Sequence, residues 1–101
     1  MIFVILILMA AVATAQAIDV RYSLRGFASG HQLEGNRLLV WLVGAKPTLV
    51  QFIVFHTAEL VLCAASGFTG DPALFGLSVG CLVALAARHI QAIRMWRKLG
   101  V

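Results

Sequence analysis

Charge is scarce in this 101-residue sequence: four Asp and Glu and eight Lys and Arg make up only 12% of it. An average soluble domain is about 25% charged and about 45–50% apolar, whereas here 61% of residues are hydrophobic. A soluble fold of this length has too much surface and too little core to hide so much apolar material. The mean hydropathy of +0.96 is explained if lipid is the solvent for most side chains. Catalytic signatures are also missing. There is no nucleophile elbow, phosphate-binding loop, HExxH pair or dinucleotide fingerprint, and no internal repeat. The length leaves no room for a separate soluble catalytic domain. The two cysteines, Cys63 and Cys81, form no CxxC pair and sit in apolar segments. They are expected to be buried free thiols acting as small hydrophobes.

What is present is a set of long apolar runs. Residues 1–18 are uncharged and, as a helix, reach ~27 Å, close to the hydrocarbon thickness. Ala15-Gln16-Ala17 fits a signal-peptidase pattern, but the start MIFVILILM carries no positive charge, so a retained helix is expected. It should run to about residue 24, where Gly26 and then Ser29-Gly30 break it. Thr48 to Ser66 reads as a second span, with Pro47 in its first turn and Gly67 at its end. Asp71-Pro72 reads as the cap and first position of a third helix, apolar from Ala73 to Ala87. The run 38–45 is too short to cross a bilayer, so residues 31–45 are expected to form an interfacial or re-entrant segment. The fold class expected is therefore all-α and integral to a membrane, one domain with spans at about 1–24, 48–66 and 73–93.

The basic residues set a topology. Arg21, Arg25, Arg37 and Lys46 lie in one stretch, and Arg88, Arg94, Arg97 and Lys98 in another, with none from Pro47 to Ala87. Three spans place all of them on the cytoplasmic side of a cell (inner) membrane, C-terminus inside. A fourth span through 31–45 would put Arg21 and Arg25 outside, which makes it the weaker arrangement. The pattern is a topology signal and excludes a nucleic-acid footprint. The tail from Arg88 to Lys98 interleaves Ile90, Ile93, Met95 and Trp96. It suits anionic lipid headgroups, at about 1 kcal/mol per basic charge, or docking to an acidic soluble partner.

Three groups of residues can carry function. On the second span Phe52, His56, Glu59 and Cys63 share one face. Glu59 falls near mid-membrane, where an ionisable group must be paired or neutral. His56 and Glu59 are therefore expected to pair with each other, to meet a partner subunit, or to hold a proton, ion or metal. An H-x-x-E pair lacks the ligands for a metal by itself. A second such pair, His31 and Glu34, reaches that level only if residues 31–45 dip into the membrane. Asp19, Ser23 and His89, with Glu34 and Asn36, form a second, cytoplasmic-side polar group, where Arg88 or His89 can pair with Asp19. If the chain turns over residues 66–73, His89 and Asp19 each lie roughly 9 Å from the level of His56 by helical rise. Two separate polar layers are expected. Third, Gly76, Gly80 and Ala84 make a small-residue stripe, and the first helix is rich in Ala. These suit close packing, either inside the bundle or against a partner.

The run of Asp19, Ser23, Gly30, Glu34 and Asn36 resembles the D-x3-[ST]…G…E-x-N-P pattern of an uncharacterised family of small bacterial and archaeal multi-pass membrane proteins. The chain departs from it at the proline, where it has Arg37, and lacks a lysine on the next helix, having Gln51 and His56 there. The resemblance implies a three-span prokaryotic membrane protein with Asp19, Glu34 and Asn36 clustered at the cytoplasmic boundary, and brings no activity or cofactor. Two roles are expected from the residues: a structural or accessory subunit packed against other membrane subunits or copies of itself, or an ion-, proton- or metal-handling protein centred on His56 and Glu59. An intramembrane enzyme is least supported, because too few positioned groups share one depth.

Overall fold

The computed structural model describes residues 2–30, 37–44 and 46–101. In chain order it comprises α1 (Ile2–Ala28), α2 (Arg37–Val43), α3 (Leu49–Ala65), a 3-10 turn (Ser66–Phe68) and α4 (Pro72–Lys98), with no strand among the described residues. α1, α3 with its 3-10 extension, and α4 are each long and apolar enough to cross a membrane. α2 has seven residues, about 10 Å, and is a fourth, short helix that cannot span. The fold is thus an all-α, three-span membrane bundle with one short additional helix.

Helix ends follow local chemistry. Asp71 caps α4, its Oδ1 accepting from the backbone N–H groups of Ala73 at 2.8 Å and Leu74 at 3.2 Å, with Pro72 as the first helical residue. Thr48 caps α3 in a capping box: its hydroxyl accepts from the Gln51 N–H while the Gln51 side chain accepts from the Thr48 N–H. Pro47 therefore precedes the cap rather than occupying the first turn. α1 also differs from expectation, running through Gly26 to Ala28 and closing at Gly30, which adopts φ 74°. Gly26 is helical, and its missing Cβ makes room for a neighbour. A Cβ there would overlap the Trp96 indole.

The bundle is apolar outside and partly polar inside. Phe3, Ile7, Val50, Val54, Leu62 and Leu77 face outward, whereas Gln16, Ser23, His56, Ser78 and His89 are buried. Lipid tails solvate the outer side chains, and only the interior offers polar partners. α1 lies mainly along α4. One apolar cluster joins Ile5, Val12, Ala64, Leu82 and Leu85. The other joins Val20 and Phe52 to Leu39, through which α2 is anchored. Between them, on α1, fall Gln16 and Asp19.

Close packing does not use the expected stripe. Gly76, Gly80 and Ala84 all face outward, and nothing lies within 4 Å of a Cβ built on Gly76 or Gly80. The stripe is thus not packed inside the bundle. The glycines the bundle needs are Gly26 and Gly67. A Cβ on Gly67 would lie 2.7 Å from Ile5 Cδ1 and 2.8 Å from Ser78 Oγ, and Ser78 is held by its hydrogen bond to the Cys63 carbonyl at 2.8 Å. Gly67 is thus a packing residue of the 3-10 turn, not a helix cap. Gly67→Ala is expected to destabilise the protein by about 1–3 kcal/mol through overpacking, while Gly80→Ala leaves stability unchanged or slightly raised. Thermal unfolding in detergent micelles followed by circular dichroism checks both; equal midpoints for the two variants would contradict the packing described.

Candidate functional site

Each spanning helix contributes an ionisable side chain to one buried centre: Asp19 from α1, His56 and Glu59 from α3, and His89 from α4. Asp19 follows Gln16 by three residues and precedes Ser23 by four, so the three line one face of α1. The Gln16 amide donates to the His56 backbone carbonyl at 3.1 Å, joining α1 to α3. His89 Nδ1 lies 2.7 Å from Asp19 Oδ2, joining α4 to α1. The Ser23 hydroxyl donates to the other Asp19 oxygen at 3.4 Å. His56 Nδ1 lies 2.5 Å from Glu59 Oε1 within α3. The two imidazoles meet edge to face, ring centroids 4.8 Å apart at 79°.

The four groups thus form a continuous sequence, Asp19, His89, His56 and Glu59, at one level. This corrects the expectation of two layers, which the 66–73 turn had placed roughly 9 Å apart by helical rise. Two features close the gap. Gly67 lies against Ser78, so the part of α4 before Ser78 stands beyond the end of α3, and the register differs from that of a symmetric turn. In addition, helical side chains lean toward their own N-termini. α3 and α4 are antiparallel, so His56 and His89 lean toward one another.

The surroundings are apolar. Phe52 stacks on His56 with centroids 5.7 Å apart and planes at 9°, Phe55 meets it edge-on at 5.6 Å, and Phe27 stacks in turn on Phe52. Side-chain exposure is 9% for His56, 19% for Glu59, 5% for His89 and 13% for Asp19. A groove of about 360 Å³ between α1 and α3 is lined by Gln16, Val20, Phe52, His56 and Leu60 among others. His89 Nε2 is buried and has no hydrogen-bond partner among the described residues. One ligand atom each from His56, Glu59 and His89 can be chosen so that all lie within 4.8 Å of one another. Among the described residues this is the group of His, Cys, Asp and Glu with metal-ligand proximity.

Other candidates fall elsewhere. His31, Glu34 and Asn36 lie outside the described residues, so of the proposed cytoplasmic-side group Asp19, Ser23 and His89 are the members that come together. Arg88 is exposed and His89, not Arg88, meets Asp19. Cys63 and Cys81 are free thiols, as expected, but not buried ones: Cys63 is half-buried, Cys81 is exposed, and their sulfurs lie 2.6 Å apart across α3 and α4. Their 18-residue separation hides this neighbourhood from any local motif. Gln16 and Ser78 were missed as polar links. Gln16 reads in sequence as the middle of Ala-Gln-Ala, but its spacing from Asp19 and Ser23 was the available signal.

Comparison of the chain with family models, curated proteins and solved structures finds no match. Its chemistry is therefore read from its own residues. Removing His89 leaves Asp19 buried without its ring partner. His89→Leu is expected to lower stability by about 3 kcal/mol, and a Asp19→Leu/His89→Leu double variant should recover part of that loss. Unfolding midpoints in a common micelle measure both, and a wild-type midpoint for His89→Leu would contradict the pairing.

Proposed function

We propose that this chain is a small multi-pass membrane protein that handles cations, protons or metal ions, through the intramembrane centre of Asp19, His89, His56 and Glu59. The observation that carries the proposal is the convergence of ionisable groups from all three spanning helices at one buried level. Buried ionisable groups in a membrane interior are costly, by several kcal/mol each when unpaired. A bundle meant only to pack would be more stable with apolar residues there. Proton and cation handling is the chemistry that two carboxylates and two imidazoles serve. In this reading the basic residues, Arg88, Arg94, Arg97 and Lys98 included, lie on the cytoplasmic side of a cell membrane, where the exposed tail meets anionic lipid.

The protein reconstituted in liposomes is expected to dissipate an imposed proton or divalent-metal gradient, followed by an entrapped fluorescent indicator. Glu59→Gln should reduce the flux to that of protein-free vesicles while keeping its helical circular dichroism. A Glu59→Gln protein as active as wild type, or a wild type no faster than empty vesicles, would end the proposal.

A second reading, a structural or accessory subunit, is favoured by one observation. The Gly76, Gly80 and Ala84 stripe faces outward, where small residues let another helix approach closely. Gly80→Leu should then leave the monomer folded and abolish a homo-oligomer or larger complex seen by native mass spectrometry of mild-detergent extracts. An unchanged assembly would remove this interface.

A further inference from the structure

We infer that the buried centre is a binding site for a single divalent transition-metal ion of the zinc and cobalt class, ligated by His56, Glu59 and His89, with Asp19 orienting His89 from behind. The inference deepens the cation-handling reading and rests on it. It begins with His89. Its Nδ1 lies 2.7 Å from Asp19 Oδ2, so in a neutral imidazole Nδ1–H donates to that carboxylate and Nε2 carries the lone pair. That Nε2 is buried and has no partner among the described residues. A ring nitrogen so placed is costly to leave unpaired. A metal-ligating histidine has this arrangement: one nitrogen donating to a carboxylate, the other on the ion.

Charge points the same way. If the imidazoles are neutral and both carboxylates ionised, Asp19 and Glu59 would place two negative charges in an apolar, partly closed interior, a charge that one divalent cation would balance. Two imidazole nitrogens and one carboxylate oxygen form a donor set suited to zinc, cobalt and their neighbours. Calcium and magnesium take oxygen ligands and are poorly served by it. Bonds of about 2.0–2.1 Å put the ligand atoms of a tetrahedral ion ~3.3 Å apart. The chosen atoms lie within 4.8 Å of one another, and the His56 to Glu59 pair is at 2.5 Å. To reach that spacing the wider separations must close and the His56–Glu59 contact must open, as side-chain rotation allows. Three protein ligands leave a fourth position for water or for an exchanging ligand.

The test uses the full chain in lipid nanodiscs after chelator treatment, titrated with zinc and with cobalt. One zinc per chain is expected by native mass spectrometry. Cobalt should produce the intense visible absorption of a four-coordinate site, and excess calcium or magnesium should not displace it. Glu59→Gln is expected to lose the cobalt spectrum. Asp19→Asn, the conservative change behind His89, should keep the stoichiometry with affinity about 10–100-fold weaker. Zinc binding no tighter in wild type than in a His56→Ala/His89→Ala protein would overturn the site, as would wild-type affinity in a Glu59→Gln protein that remains helical. If zinc fails to bind but Glu59→Gln still stops proton flux, the metal assignment falls and the cation-handling reading stands on protons. If flux is also insensitive to Glu59→Gln, both fall.

Discussion

The hydrogen bond between Asp19 and His89 is the interaction on which the interior depends. In hydrocarbon a polar side chain finds no water, so it must be satisfied by another part of the protein. Asp19 cannot turn outward without entering lipid, and His89 is the ring that reaches it. That bond sets the axial register of α1 against α4, the most extensive helix pair. Gln16 then holds α1 to α3 through the His56 carbonyl, and Ser78 holds α4 to α3 through the Cys63 carbonyl. Each pair of spanning helices is thereby tied by at least one buried polar contact. Such contacts specify which helix faces meet in an environment where apolar burial discriminates little, since lipid tails are as apolar as Leu.

Packing of small residues completes what the polar contacts begin. Gly26 receives the Trp96 indole and Gly67 receives Ile5. Trp96, Phe27 and Phe52 then form a connected aromatic group, with Phe27 and Trp96 edge to face at 6.2 Å. Because Phe52 stacks on His56, that aromatic group is also a wall of the polar centre. Leu39 of α2 joins the same cluster, so the short helix supports the centre from beside α1 and α3 without crossing the bundle. The dry wall strengthens every charge interaction within, because electrostatic forces grow as the local dielectric falls. A bound cation, as proposed above, and a pair of shared protons are two ways in which the same two carboxylates could be balanced.

The sequence by itself determined the solvent, the helix class and the identity of most of the polar residues. Sparse charge and long apolar runs point to lipid, and a helix satisfies its backbone groups there within its own segment. His56 and Glu59 were legible because helical periodicity puts residues three apart on one face. Asp71 and Thr48 were legible because a cap depends only on the next few residues. Each of these is local, decided within a turn or two of helix.

Only the tertiary structure decided how the helices align. The meeting of His56 with His89 depends on axial register, which the Gly67 to Ser78 contact shifts and which no spacing along the chain encodes. The same holds for the outward turn of Gly76 and Gly80, the inward role of Gly26, and the neighbouring sulfurs of Cys63 and Cys81. A small residue permits close approach but does not say which helix approaches. Local periodicity fixes what a face carries, while the choice of facing partner is a property of all three helices packed together, and it is that choice that turns two pairs of ionisable side chains into one centre.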